Sequence, residues 1–144
     1  ALIVIEHTTP LDEVVRTGEI IDAAISQRLI ENIFFKNSPL HDGAMVIRDG
    51  KIYAAGCILP LTKKLVSSSL GTRHRAGIGL TEESDALVVI VSEETGAISV
   101  AKGGILQKDV SYGDLRDILT TQFIPSGSSD DDKIINKLVR RIKK

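Results

Sequence analysis

The alternation of apolar and polar residues predicts β-strands at four places along the chain. Residues 1–5 (ALIVI) and 85–92 (DALVVIVS) are almost wholly apolar, as expected for strands covered on both faces of a sheet. Residues 44–59 (AMVIRDGKIYAAGCIL) contain two β-rich runs joined by Asp49-Gly50, a dipeptide typical of type I′ hairpin turns. Residues 94–104 (ETGAISVAKGG) predict a turn, a strand and another turn. The pattern indicates a sheet of at least five strands.

Helical signals separate these strands. Thr9 as N-cap, Pro10 at the first helical position and Gly18 beyond the end predict a short helix over PLDEVVRT. Asp22 is the predicted N-cap of a second helix. The apolar stripe of that helix contains Ile25, Leu29, Ile30 and Ile33.

Two more helices are predicted near the end of the chain. Ser111 followed by Asp114 resembles a capping box and begins the first of them. Residues 126–144 are predicted to be a linker and an amphipathic helix that packs on the domain or extends from it. This helix begins with acidic residues and ends with basic ones, which complements the helix dipole. Its apolar face contains Ile134, Ile135, Leu138, Val139 and Ile142.

Composition narrows the class of protein. The length of 144 residues fits one domain. Hydrophobic residues make up 42% of the chain and aromatic residues only 3%, and this composition favours an α/β fold with a core of aliphatic side chains. The net charge of −1 gives no overall attraction to nucleic acid, so no nucleic-acid partner is expected. The single cysteine, Cys57, cannot form an intramolecular disulfide and is expected to be buried in a reduced compartment.

The apolar runs are shorter than the ~20 residues that span a bilayer, and no signal peptide is recognisable. We therefore expect the chain as given to be soluble. It begins within a predicted strand and without methionine, which suggests a domain of a longer protein.

The first candidate site is His41-Asp42, directly before the predicted hairpin. Pro39 and Gly43 lie too close for the helix that carries such a pair in metal-dependent phosphohydrolases, so we expect a loop or a strand end. There Gly43 and Ala44 would leave room for a ligand, and the carboxylate could bind a hard cation. Alternatively, Asp42 forms a turn with Gly43 and His41 is a surface residue.

The second candidate is residues 70–80 (LGTRHRAGIGL), where Gly71 and Thr72 could cap a helix. Arg73, His74 and Arg75 would then occupy its first turn, where cations oppose the helix dipole unless an anion offsets them. A polyphosphate is such an anion. Surface salt bridges are the alternative.

The third candidate is residues 92–96 (SEETG), directly after the most apolar strand. Open α/β sheets bind ligands at strand ends, so Glu93 or Glu94 could share a metal with Asp42. An ordinary acidic turn is the alternative.

Taken together and in this order, LHDGAMVI, LGTRHRAGIGL and VVIVSEETGAISVAKGG resemble the catalytic domain of the diadenylate cyclases. The Asp-Gly-Ala and Arg-His-Arg motifs of that family correspond to residues 42–44 and 73–75. The segment IENIFFKNSPLHDGAMVI is most similar to the membrane-anchored bacterial class. The resemblance extends to about residue 123 and implies a single-domain α/β fold, a mixed sheet of about six or seven strands flanked by helices. Residues 1–125 would form the catalytic domain.

The resemblance implies condensation of two ATP molecules into cyclic di-AMP and two pyrophosphates, with Mg²⁺ or Mn²⁺ as cofactor. Asp42 would lie beside the attacking 3′-hydroxyl. Leu59 would line the adenine pocket, where Ile58 replaces a tyrosine of many relatives. By resemblance the catalytic residues are Asp42, Arg73, His74 and Arg75. The metal ligands are Asp42, His41 and one of the two glutamates Glu93 and Glu94. The ATP-binding residues are Gly43, Ala44, Leu59, Gly71, Thr72, Arg73, His74, Arg75, Ser92 and Glu93.

The same resemblance implies a homodimer in which two sites face each other. It also implies a cytoplasmic catalytic domain, whose parent is anchored in the bacterial membrane and has a regulatory protein partner. Two other functions stay open: a module that senses adenine nucleotides without catalysis, and a metal-dependent phosphohydrolase.

Overall fold

One mixed sheet organises the part of the chain that the computed structural model describes, residues 1–64, 66 and 70–123. Its order is β2-β4-β3-β1-β5-β6-β7, with β1 parallel to β3 and antiparallel to β5. The strands are β1 (Leu2–Ile5), β2 (Glu19–Ala24), β3 (Ala44–Arg48), β4 (Lys51–Cys57), β5 (Leu87–Val91), β6 (Ile98–Lys102) and β7 (Ile105–Gln107), and the helices are α1 (Asp12–Val15), α2 (Gln27–Ile33), α3 (Thr72–Glu83) and α4 (Tyr112–Phe123). The predicted single-domain α/β class and the mixed sheet are confirmed.

The sheet has an apolar core on each face because its central strands alternate between two buried sides. Ile3 and Ile5 of β1 pack on the side that α2 and α4 cover, whereas Leu2 and Val4 pack on the side of α1 and α3. All four side chains are buried. The result is three layers, helices on both faces of the sheet.

The hairpin is confirmed, with Asp49 at φ 52° and Gly50 at φ 72° between β3 and β4. The start of α4 is confirmed as well, because the Ser111 Oγ accepts a hydrogen bond from the Asp114 amide at 3.0 Å. The predicted linker and helix at 126–144 lie outside the described residues.

The first predicted helix begins later than expected. Thr9 does not cap it, because the Thr9 amide donates to the Asp85 carboxylate at 2.8 Å. Leu11 is the N-cap and α1 has only four residues. The Gly18 amide donates to the Val15 carbonyl at 3.1 Å, so the turn still closes at Gly18.

The prediction of Asp22 as an N-cap is wrong. Asp22 lies within β2, at φ 50°, where the pairing with β4 shifts register. That irregularity interrupts the apolar alternation and hides the strand in the sequence. The N-cap of α2 is Ser26, whose Oγ accepts from the Leu29 amide at 3.0 Å. The predicted apolar face is otherwise confirmed, since Ile30 and Ile33 are buried.

Within the described residues, the helices are too short or too polar to cross a bilayer.

Candidate functional site

The register of β1 brings two of the candidate segments to the same end of the sheet. Ile3 pairs with Met45 in the parallel direction and with Val89 in the antiparallel direction. The residues before β3 and the residues after β5 therefore flank the beginning of β1. These residues include Asp42 on one side and Glu93 on the other.

Helix α3 begins at the same end. Gly77 permits close packing on β5, because a Cβ at this position would lie 2.9 Å from the Ile90 Cδ1. Gly71 is the N-cap, as predicted, and α3 begins at Thr72 without a side-chain cap. The Gly71 carbonyl accepts from the Arg75 amide at 3.2 Å, so the amides of the first turn before Arg75 have no intrahelical acceptor. They are available to an anion.

Arg73 joins the three candidate segments. Its Nη2 lies 2.9 Å from the Glu93 Oε1 and 3.7 Å from the Asp42 Oδ1. The Arg73 side chain is 26% exposed, whereas those of Asp42 and Glu93 are 82% and 59% exposed. Arg73, Asp42 and Glu93, which were predicted to surround one ligand, are therefore neighbours. Both carboxylates can still rotate into solvent or toward a ligand.

His41 is held by its own loop. Its Nδ1 lies 2.6 Å from the Ser38 carbonyl oxygen, and its Nε2 lies 3.5 Å from the Asp42 Oδ1. The first contact fixes the ring, and the second directs its other nitrogen toward the candidate site. The pair lies in the loop before β3, as predicted from Pro39 and Gly43.

A cleft of about 280 Å³ opens beside the start of α3. It runs from the first turn of the helix to the end of β5. The residues that line it are Gly71, Thr72, Arg73, His74, Ile90, Val91, Ser92, Glu93 and Glu94. Seven of these residues were predicted to bind nucleotide or metal. Ile90 and Val91 were not, because an apolar strand gives no sequence signal for which of its residues border a cleft.

His74 is a partly buried polar residue of the site. Burial lowers the pKa of its imidazole, and the positive charges of Lys108 and the amino terminus lower it further. Its Nδ1 is buried without a hydrogen-bond partner among the described residues. The influence of Lys108, which follows β7, was not foreseen from the sequence.

Arg75 lies in the first turn of α3, with Arg73 and His74. Its side chain is exposed, and it forms no ion pair with the described residues. Its carbonyl oxygen accepts a hydrogen bond from the Thr62 amide at 3.1 Å, which ties the segment after β4 to α3.

Three predicted ATP-binding residues have packing roles. Gly43, at φ 123°, lies against β4, where a Cβ would be 2.8 Å from the Gly56 carbonyl carbon. Ala44 is fully buried and Leu59 is 6% exposed, both in the core on the α3 side. The absent Cβ of Gly43 thus lets two backbones approach each other. Contact of these residues with a nucleotide stays a prediction.

The predicted metal ligands do not form a ligand cluster by themselves. Nowhere in residues 1–64, 66 and 70–123 do three or more His, Cys, Asp or Glu residues form a group that could hold a metal ion. Mg²⁺ and Mn²⁺ nevertheless fit the oxygen donors of Asp42 and Glu93, because such ions commonly take one or two carboxylates and complete their coordination with substrate phosphates and water. His41 suits Mn²⁺ better than Mg²⁺.

Comparison with known proteins gives consistent results. The family model "DAC: DisA bacterial checkpoint controller nucleotide-binding" matches residues 1–106. The cyclic di-AMP synthase CdaA of Bacillus subtilis is 44% identical over 124 residues, which are 85% of this chain and 45% of that protein. The cyclic di-AMP synthase CdaS of the same organism is 50% identical over 111 residues, 77% of this chain and 54% of CdaS.

Solved structures agree with the fold. A double mutant of DacA from Staphylococcus aureus matches with a TM-score of 0.84 and 49% identity, over 86% of this chain and 83% of that chain. A hypothetical membrane spanning protein from Bacillus cereus matches with a TM-score of 0.73 and 49% identity, over 76% of this chain and 54% of that chain. The chain spans about half the length of the curated relatives described above. The chain belongs to the DAC family of nucleotide-binding domains.

Proposed function

We propose that the chain is the catalytic domain of a diadenylate cyclase, which condenses two ATP molecules into cyclic di-AMP and releases two pyrophosphates. The observation that carries the proposal is the position of Arg73, at the start of α3 and between the carboxylates of Asp42 and Glu93. Family membership and relatives that are cyclic di-AMP synthases support it.

The start of α3 is suited to the triphosphate. The uncapped amides of its first turn and the Thr72 hydroxyl would donate hydrogen bonds to phosphate oxygens. Arg73 would exchange its carboxylate partners for phosphate, with charge-assisted hydrogen bonds of comparable geometry. Arg75 is exposed and has no carboxylate partner in the described chain, so it is available for the same purpose.

Asp42 is suited to the attacking hydroxyl. Its carboxylate is 82% exposed and adjoins the phosphate-binding turn through Arg73. As a general base it would accept the proton of the ATP 3′-hydroxyl, whose oxygen forms a bond to the α-phosphorus of the other ATP while the bond to pyrophosphate breaks. His41, held through Ser38, would orient the Asp42 carboxylate.

The proposal includes a divalent cation, Mg²⁺ or Mn²⁺. Asp42, with His41 and with Glu93 or Glu94, would hold it. When bound, the cation supplies positive charge that stabilises the phosphates and the leaving pyrophosphate.

Catalysis requires two copies of the chain. Each described domain has one cleft at the start of α3, and the reaction joins two ATP molecules. A homodimer with its clefts facing across a two-fold axis would bring both nucleotides together. Gly43, Ala44 and Leu59 would border the nucleotide, with Leu59 on the adenine side.

The parent protein is proposed to be anchored in the bacterial membrane, with this domain in the cytoplasm and a regulatory protein partner. The similarity to CdaA and to a protein described as membrane spanning supports the anchor.

The test is product identification by mass after incubation of the domain with ATP and Mn²⁺. Cyclic di-AMP and pyrophosphate are expected. ATP that is bound but unchanged, across several divalent metals and at concentrations that permit dimers, would instead support a nucleotide-sensing module. Release of inorganic phosphate or a monomeric nucleotide would support a phosphohydrolase.

A further inference from the structure

The chain between β4 and α3 contains a segment that packs along the helix. Residues 58–62 (ILPLT) form this base-side segment, which takes its name from Leu59, the residue proposed to lie on the adenine side. The Leu59 side chain is buried in the apolar core that also contains Leu80 of α3. The neighbouring Ile58 side chain is 70% exposed. The segment therefore combines an anchor in the core with an apolar side chain at the surface.

Backbone contacts hold the base-side segment to α3 at two points. The Pro60 carbonyl oxygen lies against Gly79, and the Thr62 amide donates a hydrogen bond to the Arg75 carbonyl oxygen at 3.1 Å. Arg75 and Gly79 are four residues apart, so both contacts lie on one face of the helix. The segment thus runs antiparallel to α3, toward its first turn. That turn contains the residues proposed to bind the triphosphate.

Gly79 makes the first of these contacts possible. A Cβ at this position would overlap the Pro60 carbonyl oxygen and would lie 2.8 Å from the Thr62 amide nitrogen. Both are backbone atoms, so no side-chain rotation relieves the overlap. Gly77 of the same helix differs, because a Cβ there would lie 2.9 Å from the end of the flexible Ile90 side chain. Glycine is unfavourable inside a helix, and at Gly79 it sets the distance between two backbones.

We propose that Gly79 is a positioning residue for the nucleotide: it sets the distance between the base-side segment and the first turn of α3, so that one ATP molecule contacts both. The inference rests on the proposed function, which places the adenine beside Leu59 and the triphosphate at the start of α3. The exposed Ile58 side chain offers the base an apolar surface of the kind that lines ligand sites. A misplacement of about 1 Å in such an element can cost about a hundredfold in rate.

Binding of an ATP analogue and of inorganic triphosphate, both with Mn²⁺, tests this role in the full chain. The analogue α,β-methylene ATP keeps the base and the three phosphates but cannot release pyrophosphate. Gly79→Ala displaces the base-side segment and leaves the first turn of α3 in place. We therefore expect roughly tenfold weaker binding of the analogue and triphosphate binding within about twofold of the unsubstituted chain. A merely structural role would weaken both ligands equally, and that result would overturn the proposal.

Gly113→Ala is the matched control, because it makes the same change in another helix. A Cβ at Gly113 of α4 would lie 4.0 Å from the Ser111 Oγ, which is an ordinary van der Waals distance. Helix α4 also covers the other face of the sheet. This variant should bind both ligands as the unsubstituted chain does. Equal loss of analogue binding in Gly79→Ala and Gly113→Ala would contradict the role of Gly79.

A second variant, Thr62→Pro, tests the other contact without adding an atom to α3. It removes the amide that donates to the Arg75 carbonyl oxygen. We expect the same selective loss of analogue binding, roughly fivefold, because one hydrogen bond is removed. Thr62→Ala keeps this amide and should keep the preference for the analogue over triphosphate. The same preference in Thr62→Pro and Thr62→Ala would count against the proposal.

The unsubstituted chain distinguishes failure of this role from failure of the proposed function. We expect it to bind the analogue more tightly than triphosphate, because the base adds contacts. If it does so and Gly79→Ala keeps the same preference, the role of Gly79 is overturned and the proposed function stands. If the unsubstituted chain binds the two ligands equally, the proposed adenine site is contradicted, and the role of Gly79 with it.

Discussion

Two arginines, Arg48 at the end of β3 and Arg73 of α3 beside the loop that precedes β3, each contact two carboxylates. They differ in how completely their hydrogen-bonding capacity is satisfied. Arg48 binds Glu6 through two hydrogen bonds of 2.9 and 2.8 Å and Asp12 through one of 2.9 Å. Its guanidinium carbon also lies 4.5 Å from the centre of the Tyr53 ring. Arg73 has one close contact and one at 3.7 Å. The first arrangement is a closed structural network, and the second has room for another anion.

The carboxylates around Arg48 and those around Arg73 also differ in burial. The Glu6 side chain is 12% exposed, and its hydrogen bonds raise the pKa of Arg48 above its ordinary value. Glu93 is 59% exposed and Asp42 82%. Exposed ion pairs contribute about 0–1 kcal/mol to stability, whereas removal of one partner from a buried pair costs several. Similar residue types therefore serve stability at one end of the strand and are available for binding at the other.

The largest expected effect is on the reaction. Asp42→Asn should reduce cyclic di-AMP formation at least about a hundredfold, because it removes the carboxylate that we propose as the general base. Product mass measurement checks this result. Asp12→Asn is the matched control, since Asp12 is the exposed partner of the other arginine, and it should retain activity. Equal loss in both variants would indicate that the two clusters do not differ as described.

The next effect is on stability. Arg48→Ala should lower the free energy of unfolding by about 3 kcal/mol, because the mostly buried Glu6 carboxylate loses its cationic partner and, within the described residues, keeps only the hydrogen bond from the Leu11 amide. Urea denaturation measures it. Arg73→Ala, the matched change in the other cluster, should cost less than about 1 kcal/mol. A larger loss for Arg73→Ala than for Arg48→Ala would reverse the comparison.

Asp85 is a further structural carboxylate away from the site. It accepts hydrogen bonds from the Thr8 hydroxyl and from the Thr8 and Thr9 amides, and these bonds lower its pKa. The stabilisation is therefore complete above the unfolded-state pKa of 3.8 and is lost as the pH falls below it. Asp85→Asn should cost about 1–3 kcal/mol at neutral pH. Urea denaturation should show a smaller difference at pH 3, and a constant difference would refute this role.

The smallest effect concerns His74. Because the folded state lowers its pKa from 6.5, the unfolded chain binds more protons just below that value. Stability is complete above pH 6.5 and declines as the pH falls through this range. His74→Asn should make the unfolding midpoint less dependent on pH between 7 and 5. An unchanged pH profile would show that His74 is solvated.

Local chemistry made part of the fold predictable. Asp49-Gly50 forms a turn between adjacent strands, and Ser111 caps a helix that begins at the next residue. Both effects involve residues close in sequence, so the hairpin and the start of α4 could be predicted. Asp22 misled the prediction, because its positive φ belongs to an irregular strand that only pairing with β4 explains. The boundaries of α1 likewise depend on Asp85, 76 residues from Thr9.

The site was predictable by residue type but not by geometry. The cations at the start of α3 and the acidic residues at the strand ends indicated an anion and a metal separately. Their proximity depends on the register of β1 with two neighbours, which no local pattern encodes. For the same reason, the sequence could not reveal that Gly43 is required by the approach of β4.

The role of Arg73 as a binding residue is tested by the ATP dissociation constant of Arg73→Ala, measured together with its free energy of unfolding and with Arg48→Ala as the reference. We expect at least about tenfold weaker ATP binding for Arg73→Ala, since a charge-assisted hydrogen bond contributes about 1.5–3 kcal/mol, and a nearly unchanged free energy of unfolding. Unchanged ATP affinity together with a large loss of stability would contradict this role, because Arg73 would then be a structural residue like Arg48.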